Sequence, residues 1–157
     1  MPYTDLLAAE RIVQMVEPGG RDRVLDAAAR LLSGGSPEWT QTVADGLRGR
    51  EAVGSTGIGH GVAIPHCRAA LASEPVAAFI RLSAPVDFRA YDGQPVDLVF
   101  AMAAPEDRTQ QHLDTLSELA GQFANPGFRD ALRGARDITA LRRLLLRIDT
   151  PWLARDR

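Results

Sequence analysis

The sequence predicts one α/β domain, a layered sandwich of helices around a single mixed sheet. Three observations carry this. The chain has 157 residues, 45% of them hydrophobic, which is the size and composition of one compact domain with its own core. Its strand-like runs cluster in the middle, at 61–64, 75–82 and 95–104. Segments of helical spacing stand before and after that cluster, so helices pack around a central sheet.

After a start without clear pattern, "RDRVLDAAARLLSGG" sets Val24, Leu25, Ala28, Leu31 and Leu32 at helical intervals and stops at Gly34 and Gly35, a glycine C-terminal signal. "SPEWTQTVADGLRGRE" offers Ser36 as N-cap, Pro37 in the first turn and Trp39, Val43 and Leu47 on one face, predicting a second helix that ends near Arg50 and Glu51. The strand "GVAI" follows a glycine-rich stretch. "PVAAFIRL" is the second strand, 83–94 reads as a turn-rich connection, and "PVDLVFAMAA" is a long apolar strand bounded by prolines. "APEDRTQQ" leads into a third helix, "TQQHLDTLSELAGQF". There Leu113, Leu116, Ala120 and Phe123 recur at helical intervals, and His112 shares a face with Leu116, Leu119 and Phe123. Asn125 with Pro126 caps a fourth helix. Asp137 caps a fifth, whose apolar positions are Leu141, Leu144, Leu145 and Ile148. The predicted domain is 5–149, with a loose tail at 150–157.

Charge and composition exclude several classes of function. The net charge is −2 with both signs interleaved, so no basic face suits nucleic acid or an anionic membrane. Cys67 is the single cysteine, no apolar run approaches membrane-spanning length, and the N-terminus lacks a basic segment leading into an apolar one. The expectation is a soluble cytoplasmic protein without membrane insertion. Every basic residue other than histidine is arginine, which removes Schiff-base chemistry and the Gly-Lys-Ser/Thr phosphate loop of nucleotide hydrolases.

The stretch "GSTGIGHGVAIPHCR" at 54–68 carries the chemistry. Gly54, Gly57, Gly59 and Gly61 do not spell GxGxxG, and they follow a helix, so dinucleotide binding is not supported. Two readings stay open: a tight loop entering a strand, or a concavity of backbone N–H groups around an anion such as phosphate, formed by Ser55, Thr56, Gly57, Gly59 and Gly61. His66 stands behind Pro65 at a strand end, where stiff backbone presents a side chain. A neutral imidazole there is either an ordinary surface group or a nucleophile able to form a phosphoramidate and pass the phosphoryl group on. Such a relay needs a cation, and Arg50 at the end of the second helix is the candidate. His112 is the candidate to hydrogen-bond the phosphoryl group or steer His66. His60, His66, Cys67 and His112 include no CxxC or HExxH spacing, so no metal and no cofactor are expected.

"STGIGHGVAIPH" resembles the phosphorylation-site motif of the IIA proteins of the bacterial phosphoenolpyruvate-dependent sugar phosphotransferase system, fructose/mannitol class. "LRGREAVGSTGIG", "FRAYDGQPVDLVFAMAAPEDRTQQHLDTLSELA" and "FRDALRGARDITALRRLL" are similar to successive blocks of its nitrogen-regulatory (PtsN-type) branch, so the resemblance runs from about Leu6 to Ile148. It implies a central mixed β-sheet flanked by helices on both sides. It also implies that His66 accepts phosphate from a histidine phosphocarrier, HPr or NPr, with Arg50 and His112 as its partners in the site. Regulatory targets such as kinases or transporters follow from the same resemblance. Two positions depart from the family pattern. His60 stands where Asn or another polar residue is common, and Cys67 where Gly is usual. The alternatives are a sugar-pathway IIA protein serving a separate IIB chain, and an interaction module indifferent to phosphate.

Overall fold

The computed structural model describes residues 2–70, 73–148 and 150. Among the described residues five α-helices enclose one six-stranded sheet: α1 (Arg21–Ser33) and α2 (Pro37–Val53) before most of the strands, α3 (Thr109–Phe123), α4 (Pro126–Gly134) and α5 (Ile138–Leu145) after them. The strands are β1 (Ile12–Met15), β2 (Gly57–Gly59), β3 (Val62–Ala63), β4 (His66–Arg68), β5 (Val76–Val86) and β6 (Val96–Ala104). Their order is β1-β5-β6-β3-β2, with β4 also paired to β6. The sheet is mixed, since β5 runs antiparallel to β6 while β1 is parallel to β5, and β3 and β4 are parallel to β6.

Alternation along β6 divides the core into two halves, because successive side chains of a strand point to opposite faces. Phe100 and Met102 join Tyr3, Phe79, Leu119, Phe123 and Phe128 beneath α3, α4 and α5. Val99, Ala101 and Ala103 join Leu25, Ala28, Val43 and Leu47 beneath α1 and α2. Both faces of the sheet are therefore covered, and the small residues on the second face let α1 and α2 lie close to it. Each large aromatic that is fully buried contributes about 2–3 kcal/mol of transfer free energy.

The helix ends follow local chemistry. Gly34 takes φ +69° and closes α1 with its N–H on Arg30 and Leu31 carbonyls. The Asn125 side chain accepts from the N–H groups of Gly127 and Phe128, and the Asp137 side chain from that of Ala140. Ser36 sits at the N-cap of α2 in extended conformation, but its hydroxyl makes no capping bond.

Several boundaries differ from those read in the sequence. Helix α2 continues to Val53, beyond Glu51. Strand β5 runs on to Val86 through Pro85, with a register shift against β6 between Arg81 and Val86, so the first residues of the expected turn are extended backbone. Leu113 is exposed, because the buried line of α3 is His112, Thr115, Leu119 and Phe123. Ile148 is exposed as well, lying beyond the last turn of α5. Residues 151–157 of the expected tail lie outside the described residues.

Val62, Ala63, His66, Cys67 and Arg68 all face β6 partners at the same offset, so β3 and β4 form one parallel run interrupted at Ile64-Pro65. The Pro65 carbonyl still accepts from the Met102 N–H at 3.0 Å, which carries the register across the proline. His66 is thereby held at a defined place on the sheet.

Candidate functional site

Strand β4 places His66 and Arg68 on one face and turns Cys67 to the other, where it is buried against Gly46 of α2. The His66 ring is fixed by its Nδ1, 2.7 Å from the Ile64 carbonyl. A carbonyl only accepts, so Nδ1 carries the proton and Nε2 keeps its lone pair. Burial lowers the pKa of this imidazole, and the charge of Arg50 lowers it further, against opposing effects of the Ile64 carbonyl and Glu51. His66 is thus a neutral imidazole at pH 7 with a free ring nitrogen, the form in which histidine is a nucleophile.

His112, in the first turn of α3, faces it. The two rings lie with centroids 5.3 Å apart, tilted by 54°. Burial, then His66, then Arg68 push the His112 pKa down from 6.5 to about 4. Its Nδ1 is buried and has no hydrogen-bond partner among the described residues. Arg50, in the last turn of α2, donates from Nη1 to the Gly54 carbonyl at 2.7 Å. These three side chains line one open cavity of about 670 Å³ between the end of α2, β4 and the start of α3. His66, His112 and Arg50 come from three separate elements, and the fold brings all three together.

The glycine-rich stretch has a different place. Ser55, Thr56, Gly57, Gly59 and Gly61 do not line this cavity. Ser55 Oγ donates to the Phe88 carbonyl and accepts from the Gly57 N–H. Thr56 donates from both its N–H and its hydroxyl to Glu51, a carboxylate buried at the end of α2. Gly57 packs so closely on Ala90 that a Cβ would lie 2.8 Å from the Ala90 Cβ. His60 and Gly61 both have positive φ, +57° and +78°, the requirement of a tight two-residue hairpin turn between β2 and β3. Donation from Ser55, Thr56 and His60 to Phe88, Glu51 and Asp92 ties this hairpin to α2 and to the loop after β5, and Gly57, Gly59 and Gly61 pack close against neighbouring residues.

Sequence reasoning passed over four further groups. Arg68, Thr109 and Glu106 also line the cavity. Arg68 was discoverable only from strand alternation two residues beyond His66, and β4 carries no strand signal of its own. Glu51 was missed as the clamp on Thr56, since a carboxylate at a helix end ordinarily reads as solvated. Cys67 borders the cavity with its thiol pKa pushed up by burial to about 11, so it is a protonated, inert thiol at pH 7. Among the described residues no group of three or more His, Cys, Asp or Glu side chains is arranged to hold a metal ion, and no helix is long and apolar enough to cross a membrane.

Residues 5–148 match the family model of the phosphoenolpyruvate-dependent sugar phosphotransferase system, EIIA 2. A nitrogen regulatory protein of Pseudomonas aeruginosa is 41% identical over 142 residues, 90% of this chain and 92% of that protein. The crystal structure of nitrogen regulatory protein IIA-Ntr from Neisseria meningitidis superposes with a TM-score of 0.84 at 39% identity, covering 91% of this chain and 98% of that one. The fructose-specific EIIABC component of Bacillus subtilis is 34% identical over 142 residues, which are 90% of this chain and 22% of that longer protein.

Proposed function

Because the chain belongs to the EIIA 2 family of the phosphoenolpyruvate-dependent sugar phosphotransferase system, we propose that it is a phosphoryl carrier that takes a phosphoryl group on His66 Nε2 from a histidine phosphocarrier of the HPr/NPr kind. Its phosphorylation state then governs its grip on regulatory targets such as kinases or transporters. The observation that carries this reading is the state of His66: a neutral ring whose Nδ1–H is held by the Ile64 carbonyl, with Nε2 unprotonated in a cavity shared with Arg50 and His112.

In the transfer, the Nε2 lone pair attacks phosphorus and the N–P bond of the donor phosphohistidine breaks, its electron pair returning to the donor ring. The His66 ring gains positive character as the new N–P bond forms, and the Ile64 carbonyl on Nδ1–H stabilises that charge. Arg50 offsets the negative charge of the phosphoryl oxygens as they move between two histidines. His112, neutral at pH 7, supplies a hydrogen bond to the phosphoryl group or holds the acceptor ring. The phosphoryl contacts belong to these cavity-lining side chains, and the hairpin of Ser55, Thr56, Gly57, Gly59 and Gly61 supports them by fixing the strand that carries His66. The nitrogen-regulatory role follows the identity of the relatives, 41% for the regulatory protein against 34% for the fructose component. The second reading, a sugar-pathway IIA protein serving a separate IIB chain, shares every step at His66.

Reconstitution with phosphoenolpyruvate, the upstream kinase and the phosphocarrier, read by intact mass, tests the reading. One phosphoryl group adds to the wild type and none to His66→Ala. The adduct is lost in acid and survives alkali, as a phosphoramidate does. Unchanged labelling of the variant, or an acid-stable adduct, refutes the assignment.

A further inference from the structure

Arg68 is a charged residue lining the same cavity as His66, Arg50 and His112. It follows His66 by two positions on β4, so both project from the same face of the sheet. Its Nη1 donates to the Thr109 hydroxyl at 2.6 Å, in the first turn of α3. Neither Arg68 nor Arg50 forms an ion pair among the described residues, whereas Arg48, Arg108 and Arg133 are matched by Asp26, Glu74 and Asp97. Neither neighbouring carboxylate is paired with the guanidinium of Arg68 or Arg50. Glu51 is engaged by Thr56, and Glu106 lines the cavity without an ion pair to either guanidinium. Two cations without an ion pair thus border one cavity that also holds the two histidine rings.

A phosphoryl group on a ring nitrogen carries about −1.5 to −2 charge near neutral pH. One guanidinium balances about half of it, and two balance it fully. Arg50 reaches the cavity from α2 and Arg68 from β4, so the two cations approach from different elements. The hydrogen bond from Arg68 to Thr109 has a neutral acceptor. A phosphoryl oxygen is a charged one, and charge-assisted bonds from a guanidinium are roughly twice as strong.

Resting on the reading of His66 as acceptor, we propose that Arg68 is a second phosphoryl-binding cation of the site, parked on Thr109 while His66 is bare and turned onto the phosphoryl oxygens once His66 carries them. Arg68 is exposed on the folded chain, so its replacement leaves the core untouched. A cation at this exposed position has a rival role, attraction of an acidic face on the donor protein. The two roles separate when the donor is a small molecule.

The test labels wild type, Arg68→Gln, Arg68→Lys and His66→Ala with two donors, the phosphorylated carrier protein and phosphoramidate. With the second donor, Nε2 attacks phosphorus, the P–N bond breaks and ammonia leaves, so no protein surface takes part. Arg68→Gln is expected to slow labelling at least about tenfold with both donors and to shorten the lifetime of the phosphohistidine, and Arg68→Lys to recover part of each. Loss with the carrier protein alone overturns the proposal and makes Arg68 a docking residue. Wild-type labelling of Arg68→Gln by both donors overturns it outright. If wild type itself stays unlabelled while remaining folded, the assignment of His66 fails first and Arg68 with it. Circular dichroism and the His112 ring titration, which rises when the Arg68 charge is removed, confirm that the variant is folded with its site intact.

Discussion

Replacing His112 with glutamine is expected to remove a specific acid sensitivity from the fold. In the folded chain its pKa is about 4, set by burial first and then by the facing His66 and Arg68, while the unfolded chain titrates it near 6.5. A lowered histidine pKa means that the unfolded state binds more protons than the native state between these two values. Stability therefore is intact above pH 6.5 and falls as the pH drops from 6.5 toward 4. Between about pH 7.5 and pH 5 the loss from this one group is about 2 kcal/mol, with a slope near pH 5 of about 1 kcal/mol per pH unit. Glutamine has a similar reach and no titration in this range. Glu74 and Asp92 also have lowered pKa values, but they are present in both proteins and cancel in the comparison, whereas His66 faces His112 and titrates with it, so its share of the difference belongs to the pair. The assay is urea denaturation of wild type and His112→Gln at about pH 7.5, 6.5, 5.5 and 5.0, with m-values checked for a common unfolding transition. Any constant offset between the two proteins is immaterial. The wild type should lose about 2 kcal/mol more than the variant over this interval. Parallel pH profiles would show that His112 is protonated as easily in the folded chain as in the unfolded one, and the account of a dry, cation-flanked ring would fall.

Arg50→Gln should raise the His66 pKa toward its ordinary 6.5, visible in ring NMR titration, and slow phosphoryl uptake by about tenfold to a hundredfold at nearly unchanged stability. An unmoved titration with reduced stability would make Arg50 only a clasp on the Gly54 carbonyl. Glu51→Ala should destabilise by about 3 kcal/mol, since it strands the N–H and hydroxyl of Thr56 in a buried place, and Glu51→Gln should cost less; equal denaturation midpoints for all three proteins would contradict the clamp. Asn125→Ala should cost about 1 kcal/mol through the lost cap of α4, read by the same denaturation experiment, and a change within error would deny the cap its weight.

The elements legible in the sequence are those whose signals are local. Helix α1 announces its end by Gly34 and Gly35, α4 and α5 announce their starts by Asn125 and Asp137, and β6 is apolar on both faces because helices cover both. What could not be read depends on partners far away in the chain. Strand β1 is short and pairs with β5, which lies far along the chain, and β2 and β4 are shorter still, with three residues each. His-Cys-Arg has little strand propensity of its own; it is extended because Met102, Ala103 and Ala104 of β6 hold it in register. The site depends on distant partners in the same way. His66 was conspicuous behind Pro65, and His112 was visible on the apolar stripe of α3, but nothing local said that Leu119 and Phe123, packing on the sheet, would lay the first turn of that helix over β4.

Register is accordingly the quantity on which the site turns. The offset that pairs Val62 with Leu98 survives Ile64 and Pro65 and pairs His66 with Met102, so the face that carries Val62 and Ile64 into the core beneath α3 carries His66 and Arg68 into the cavity just beyond it. Cys67, on the alternate face, packs under α2 with Ala101 and Ala103. A slip of one residue would exchange these faces, sending the thiol toward His112 and the imidazole into the apolar layer beneath α2. The rigid pair formed by Pro65 and the Ile64 carbonyl guards against that exchange twice over. The proline limits the backbone, and the carbonyl two residues before the histidine grips its Nδ1 at 2.7 Å. One short segment thereby fixes the face of the ring, its tautomer and the direction of its free nitrogen, which are the three conditions a histidine must meet to accept a phosphoryl group repeatedly at the same atom.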